Sequence, residues 1–342
     1  MNWLMKALLR FRLGCARLLR PLRRQPAPPS RSLALRDGTT RLPFIEGVNL
    51  PWLSYGGDFG ANAWSPGGGV AAAAKRQELR RHFRGLRLRG AQAVRWFLLC
   101  DGRSGIRFTR AGTPMGPDDR LFADMDAALA AAAENDLKII FVLLDFLWFG
   151  AAAAVGGVQV RGRGGAVAGG YKQRALRRRV LRPLLRRYGG SPAVLAWDIV
   201  NEPEWATRGL AGDGSTAMPF SAMRRFIRRT ARLVHRCTRQ LATVGLASAA
   251  GLPLARGCGL DFYQVHWYDR WQEAAPLERP VEAWGLDRPL LLGEFPTRNS
   301  GRGPEAIVAA ARDSGYCGAL AWSWLAADRS SGLQAGNRAA PG

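Results

Sequence analysis

The chain has 342 residues, 47% of them hydrophobic, and 50 Lys plus Arg against 26 Asp plus Glu, a formal net charge of +24. That is enough apolar material for a large core, yet no run of about 18 apolar residues, the length a membrane-spanning helix needs, occurs in it. Five widely spaced cysteines (Cys15, Cys100, Cys237, Cys258, Cys317) without a C-x-x-C, and three histidines (His82, His235, His266) with none four residues from another, argue against a disulfide framework and a histidine- or cysteine-built zinc site, so no metal is expected.

Residues 1–36 carry nine cations and no acid. Leu4, Leu8, Phe11, Cys15 and Leu18 recur at 4-3-4-3 spacing with Lys6, Arg10, Arg17 and Arg20 opposite, the pattern of a basic amphipathic helix. Residues 1–20 would then suit an anionic membrane surface. Charges every few positions deny this stretch the unbroken apolar region of a secretory signal, which points to a cytoplasmic or membrane-surface location. "PLRRQPAPPSR" breaks any helix and reads as a linker. The expected organisation is an arm and linker over 1–36, one domain over 37–330 and a flexible tail over 331–342.

From residue 44 onward, apolar runs alternate with helical patterns. The runs are "FIEGVNLPW" (44–52), "AVRWFLL" (93–99), "KIIFVLLDF" (138–146), "VLAWDIVNE" (194–202), "LATVGLASA" (241–249), "FYQVHWY" (262–268), "PLLLGEF" (289–295) and "ALAWSWL" (319–325). Helical segments are expected at 75–88, 119–135, 172–188, 219–239 and 303–314. Near-continuous apolar strands separated by helices mean a parallel sheet covered on both faces. Eight of them predict an α/β fold, a (β/α)8 TIM barrel, ahead of a doubly wound sheet, since no G-x-G-x-x-G follows the first strand. The barrel should be imperfect around helices 5 and 8. Eleven residues, 250–260, join the fifth and sixth runs, and the eighteen after Trp324 are rich in Gly and Ser.

In such a barrel the C-terminal strand ends build the site. Strand 2 offers Arg95, strand 4 Asn201 and Glu202, strand 6 His266 and Tyr268, strand 7 Glu294, and strand 8 Trp322 and Trp324 on one face. Adjacent Asn201 and Glu202 both reach the mouth only if the strand ends in a bulge or turn, which Pro203 would enforce. Strands 4 and 7 stand across the barrel from each other. Glu202 and Glu294 are thus placed as the opposed carboxylates of glycosidic-bond hydrolysis, one giving a proton while the other attacks or activates water; about 5–5.5 Å between them would mark direct attack. Arg95 and the Tyr268 hydroxyl should keep Glu294 ionised, and that charge should raise the pKa of Glu202. Trp322 suits stacking on a sugar ring. Trp148 and Trp205 are further aromatic candidates for the substrate wall.

The ordered set "WDIVNEPEW", "VHWYD", "LLGEF" and "AWSW" resembles the successive motifs of glycoside hydrolase clan A, most closely family 5, the cellulase and mannanase family, over roughly residues 44–328. The resemblance implies a retaining β-glycosidase that works by double displacement on a β-linked oligo- or polysaccharide of mannan or glucan type and needs no cofactor. It gives Glu202 the acid/base role and Glu294 that of nucleophile. By the same resemblance Asn201 would bind the hydroxyl beside the anomeric carbon, Arg95 and Tyr268 would hold the nucleophile, His266 would line that wall and Trp322 would support the reacting sugar. Family 5 members usually carry a histidine near the end of strand 3. Here "LLDFLWFG" offers Asp145 and Trp148, followed by a long Gly/Ala-rich loop over about 147–171. That departure motivates the alternative of a non-catalytic glycan-binding barrel. The Arg-rich helices 172–188 and 224–239 lack interleaved aromatic platforms, so their charge reads as solvated helix faces rather than a nucleic-acid surface.

Overall fold

A computed structural model describes residues 31–61, 68–212, 215–272 and 275–333. The basic helix expected within residues 1–20 lies outside the described residues, and so does most of the expected C-terminal tail. No described helix is long and apolar enough to cross a membrane.

The sheet runs through β1 (Ile45–Asn49), β2 (Ala93–Phe97), β3 (Lys138–Val142), β4 (Val194–Asp198), β5 (Leu241–Thr243 and Gly245–Leu246), β6 (Tyr263–His266), β7 (Leu290–Pro296) and β8 (Gly318–Trp322). Every pairing is parallel, and β8 returns to pair with β1. The two pieces of β5 pair with β4 and β6 and are separated only by Val244, so the sheet closes as an eight-stranded barrel with one interrupted strand. The connecting helices are α1 (Ala73–Leu88), α2 (Leu121–Glu134), α3 (170–188, with a π-helical middle at Leu176–Leu181), α4 (Phe220–Cys237), α5 (Leu252–Ala255), α6 (Ala275–Glu278) and α7 (Pro304–Asp313). The expected weak points are where the sequence placed them. α5 is a single turn, and no helix follows β8 among the described residues.

Period-2 alternation builds the barrel's two layers of packing. On β2, Val94 and Trp96 join the outer core against the helices, while Ala93 and Arg95 face the lumen; on β4, Trp197 faces out, and Ala196 and Asp198 face in. The helices contribute the complementary stripe. On α4, Met223, Phe226, Ile227, Thr230, Ala231 and Val234 are buried at helical spacing, and Arg225, Arg228, Arg229, Arg232 and Arg236 are exposed. Truncating Phe226, fully enclosed there, would cost about 3–5 kcal/mol.

A two-residue hairpin, Leu33–Ala34 against Arg41–Leu42, closes the floor. Leu33 is buried there with Ile45, Ile140, Leu291 and Leu320. Residues 1–36 read from sequence as an arm and linker rather than part of the domain. From Leu33 onward they do pack, because the open lower end of the barrel needs apolar cover. At the other end of the chain Ser331 is buried and shares a hydrogen bond of 2.9 Å with Ser323.

Candidate active site

The centre of the upper lumen is Arg95, whose side chain is completely buried. Its Nε donates to Asp198 Oδ2 at 2.9 Å, Nη1 to Asn49 Oδ1 at 3.0 Å and Glu294 Oε1 at 2.7 Å, and Nη2 to Asn201 Oδ1 at 2.7 Å. One planar cation is thereby shared between two carboxylates and two amides from three strand ends, the fork geometry that favours arginine over lysine. Its partners are themselves fixed. Asn49 donates to the Gly293 carbonyl at 2.9 Å, and Asp198 accepts from Gln264 at 2.8 Å and from the Gly245 N–H at 2.9 Å. Burial works against Arg95's charge, but Asp198 and Glu294 outweigh it and hold the guanidinium above its usual range.

Glu294 reaches the lumen through an irregularity. Leu291 and Gly293 face inward on β7, so strict alternation would turn Glu294 outward. The register against β6 shifts between Val265 and His266, and against β8 between Leu292 and Phe295. This bulge re-aims Glu294 inward and sends Phe295 to the outer core. Gly293 is required beside it, because a β-carbon there would stand 2.4 Å from Gln264 Cγ. Glu294 Oε2 then accepts from the Tyr268 hydroxyl at 2.8 Å.

Glu202 gets to the mouth by a different device. Beyond β4, the Asn201 N–H donates to the Leu144 carbonyl at 2.9 Å and the Glu202 N–H to the Gly245 carbonyl at 2.6 Å. Glu202 itself is left-handed, at φ 45° and ψ 51°, and Pro203 opens the short 3-10 turn that follows. That conformation costs a non-glycine residue roughly 1–3 kcal/mol, and it lets two consecutive side chains face the same cleft. Glu202 Oε2 accepts from the Trp205 indole at 2.9 Å, and Oε1 lies 2.8 Å from His266 Nδ1. One carboxylate oxygen of Glu202 and one of Glu294 lie within 4.8 Å of each other, together with a ring nitrogen of His266.

Burial is the main cause of the proton affinities here. It pushes Glu202 up to about 7, against the Trp205 hydrogen bond and Arg95. The direction is as expected from sequence, but the principal cause is desolvation rather than the charge of Glu294. Burial also raises Glu294, with His266, Arg95 and Tyr268 opposing it. Arg95 and Tyr268 favour its anion, as expected, but enclosure of the side chain, 6% exposed, outweighs them and leaves the net shift upward. His266 is driven down to about 4 by burial and is neutral above that.

Arg95, Asn201, Glu202, His266, Tyr268, Glu294 and Trp205 thus converge as one network. Trp322 sits at the inner rim against Phe97, Cys100 and Val142, its indole donating to Asp328 at 2.8 Å. Trp324 was expected on the same face but is buried behind the barrel wall, donating to His82 at 3.1 Å beneath Arg89. Trp148 is not at the cleft. It is fully buried, with its indole donating to the Leu99 carbonyl at 3.2 Å, because the turn Phe146–Phe149, capped by Asp145, folds it inward. Asp145 instead joins the network, Oδ2 accepting from Asn201 Nδ2 at 2.9 Å, and burial raises it to about 7. Asn49, Asp198 and Gln264 were not singled out from sequence. Their signal was present as polar interruptions of apolar strands at inward positions.

A parallel barrel carrying glutamates on β4 and β7 that face each other across its mouth is an arrangement suited to glycosidic-bond hydrolysis. No family profile matches the chain. A mannan endo-1,4-β-mannosidase of Mytilus edulis is 28% identical over 321 residues, covering 82% of this chain and 83% of the relative. The endo-1,4-β-mannanase of Eisenia fetida superposes with a TM-score of 0.71 at 24% identity, over 87% of this chain and 91% of that one. A glycoside hydrolase family 5 mannosidase from Rhizomucor miehei does so at 0.55 and 15% identity, over 85% and 83%. The chain is thus similar in sequence to β-mannanases over most of its length and shares their barrel fold.

Proposed function

We propose that this chain is a retaining endo-β-1,4-mannanase in which Glu294 is the nucleophile and Glu202 the acid/base. The observation that carries the reading is the close approach of the two carboxylates, oxygen to oxygen within 4.8 Å. Inverting enzymes separate theirs by about 6.5–9.5 Å to admit a water. The names of the relatives supply the mannan and the endo mode.

In the first step Glu294 attacks the anomeric carbon and Glu202 gives its proton to the departing glycosidic oxygen, leaving a glycosyl ester on Glu294. In the second, Glu202 takes a proton from water, which attacks the same carbon and frees Glu294. Burial suits Glu202 to the first task, since a group raised to about 7 carries its proton in neutral and mildly acidic solution. The Trp205 indole and His266 hold that carboxyl by both oxygens. Arg95 and Tyr268 hold Glu294 by both of its own, fixing the attacking oxygen. Asn201 is clamped between Arg95 and Asp145, so its amide faces the substrate in a single orientation. Trp322 is the platform for the sugar ring.

The test is product analysis on linear β-1,4-mannan beside a β-1,4-glucan. Internal cleavage of the mannan with the β-anomer released first is expected. An α-anomer first, or a Glu294→Gln variant that keeps wild-type turnover, would remove the assignment. The anionic-surface role proposed for residues 1–20 rests on their sequence alone. Co-sedimentation with anionic vesicles, lost on deletion of those residues, is its test.

A further inference from the structure

A second cavity, of about 190 Å³, opens between the turn at residues 109–112 and the long loop that follows β3. Arg110, Gly112, Gln159, Arg163 and Lys172 line it, and no Asp or Glu does. Arg163 is only 8% exposed. Its guanidinium lies 3.8 Å from the centre of the Phe108 ring and makes no ion pair among the described residues, and its buried Nε has no hydrogen-bond partner. The second cation turns toward the same point. A β-carbon built on Gly112 would stand 3.7 Å from Arg163 Nη1 and 3.8 Å from Lys172 Nζ. Lys172 Nζ spends one donor on the Ala111 carbonyl, at 2.5 Å.

An enclosed guanidinium without an anion is expensive. Charges are retained in protein interiors when they are paired and hydrogen-bonded. Other enclosed guanidiniums near the barrel mouth have carboxylate partners: Arg95 has Asp198 and Glu294, and Arg103 has Asp101. Burial pushes Arg163 below its ordinary range with no carboxylate opposing it. What is missing from this cavity is negative charge. Its volume is below the roughly 300–1,000 Å³ of pockets that enclose a drug-sized ligand, which fits a group of a few heavy atoms. Arginine and lysine donors meeting from two loops and the first turn of α3 suit an anion that accepts several hydrogen bonds at once.

We propose that this cavity binds a phosphate or sulfate group, held by Arg163 from within and by Lys172 and Arg110 from the rim. The group is either a free inorganic anion or a substituent carried by a sugar. Bound there, it would tie the 109–112 turn to the loop after β3. The site is separate from the glutamate pair, and its existence does not depend on which glycan the enzyme cleaves.

Isothermal titration calorimetry of the full chain tests this, with inorganic phosphate, sulfate and a hexose 6-phosphate at constant ionic strength and chloride as the control. Saturable one-site binding is expected for phosphate or sulfate and not for chloride. Lys172→Met should weaken it about tenfold, roughly 1.4 kcal/mol. Arg163→Met should abolish it, and if that variant fails to fold, the double variant Arg110→Gln, Lys172→Met carries the same test from the rim. Hexose 6-phosphate binding more tightly than inorganic phosphate would identify the anion as sugar-borne, and equal or weaker binding would identify a free ion. Heats that follow ionic strength without saturating, or saturable binding undiminished in the double variant, would overturn the proposal.

Discussion

Replacing Glu202 with Gln should make the protein more stable at high pH while removing the proposed catalytic acid. The folded protein holds the Glu202 proton up to about 7, whereas the unfolded chain releases it near the ordinary value of 4.5. Between those values the folded state binds more protons than the unfolded one, so this residue makes stability fall as pH rises. Below the unfolded value it costs nothing, and above the folded value it costs the whole difference. The shift corresponds to about 3 kcal/mol at 1.36 kcal/mol per unit, reduced to roughly 2–3 because the side chain keeps 18% of its exposure to water. Glutamine carries no charge to bury, so the cost disappears. It also loses one acceptor, for either Trp205 or His266, a pH-independent penalty of about 1 kcal/mol. Urea unfolding followed by tryptophan fluorescence at pH 5 and pH 8 separates the two, since His266 is neutral at both. The variant's stability relative to wild type should rise by about 2–3 kcal/mol between the two conditions. A difference that stays flat, or falls toward pH 8, would refute burial as the cause of the raised pKa.

The remaining predictions concern turnover and the charge hub. Glu294→Gln should cut turnover on mannan on the order of 10⁴-fold or more, with the circular dichroism spectrum and melting behaviour retained. Glu202→Gln should slow hydrolysis of ordinary glycosides by about 10²–10⁴-fold and of aryl glycosides with good leaving groups far less; equal losses on both would show that Glu202 is not the acid. The activity–pH profile should be bell-shaped with its alkaline limb near 7, where Glu202 loses its proton, and that limb should vanish for leaving groups that need no protonation. Arg95→Met should destabilise the fold by about 3–5 kcal/mol, because Asp198 and Glu294 would be left buried without their cation; chemical denaturation measures it.

How far the sequence reveals this fold depends on where burial and regular structure coincide. Each apolar run begins within a residue of an observed strand, because the strand starts where the chain enters the core. Seven of the eight runs end two to four residues late, the exception being the run of β7. Leu143, Leu144, Ile199 and Val200 are as buried as the strands before them yet lie beyond the ladder, covered by neighbouring loops, so hydrophobicity carries no mark of the strand's end. The hairpins at Ile106–Phe108 with Pro114–Pro117, and at Ala153–Val155 with Val158–Val160, were not legible. Their strands are three or four residues long, and two prolines argue against the second of them. The glutamate pair was legible because each follows directly on an apolar run. The placement of Trp148 was not, since nothing in "LLDFLWFG" says that a capped turn rotates the indole under Leu99. Arg95 could be placed at a strand end, but not its partners, which come from three other strands and meet only when the barrel closes.

That closure also explains why the site retains a proton. Around the single guanidinium of Arg95 stand the carboxyls of Asp198 and Glu294, and His266 is neutral above about 4. With both carboxyls ionised, the enclosed cluster carries a net charge of −1 before Glu202 is counted. Ionising Glu202, with an oxygen within 4.8 Å of one on Glu294, would make it −2. The lumen is dry enough that Arg95 and Glu294 keep almost no exposure, so water offers little screening. The economical state holds one proton on the mouth carboxyls, and the hydrogen bonds differentiate its location. Glu294 receives charge-assisted donors on both oxygens, from a permanent cation and a phenol, whereas Glu202 receives one indole N–H and faces a neutral imidazole that can pair with either protonation state. The proton therefore resides on Glu202. The left-handed backbone at Glu202 and the bulge at Glu294 are the two local irregularities that set this charge count, each turning a carboxyl into the lumen that a regular strand would have aimed elsewhere.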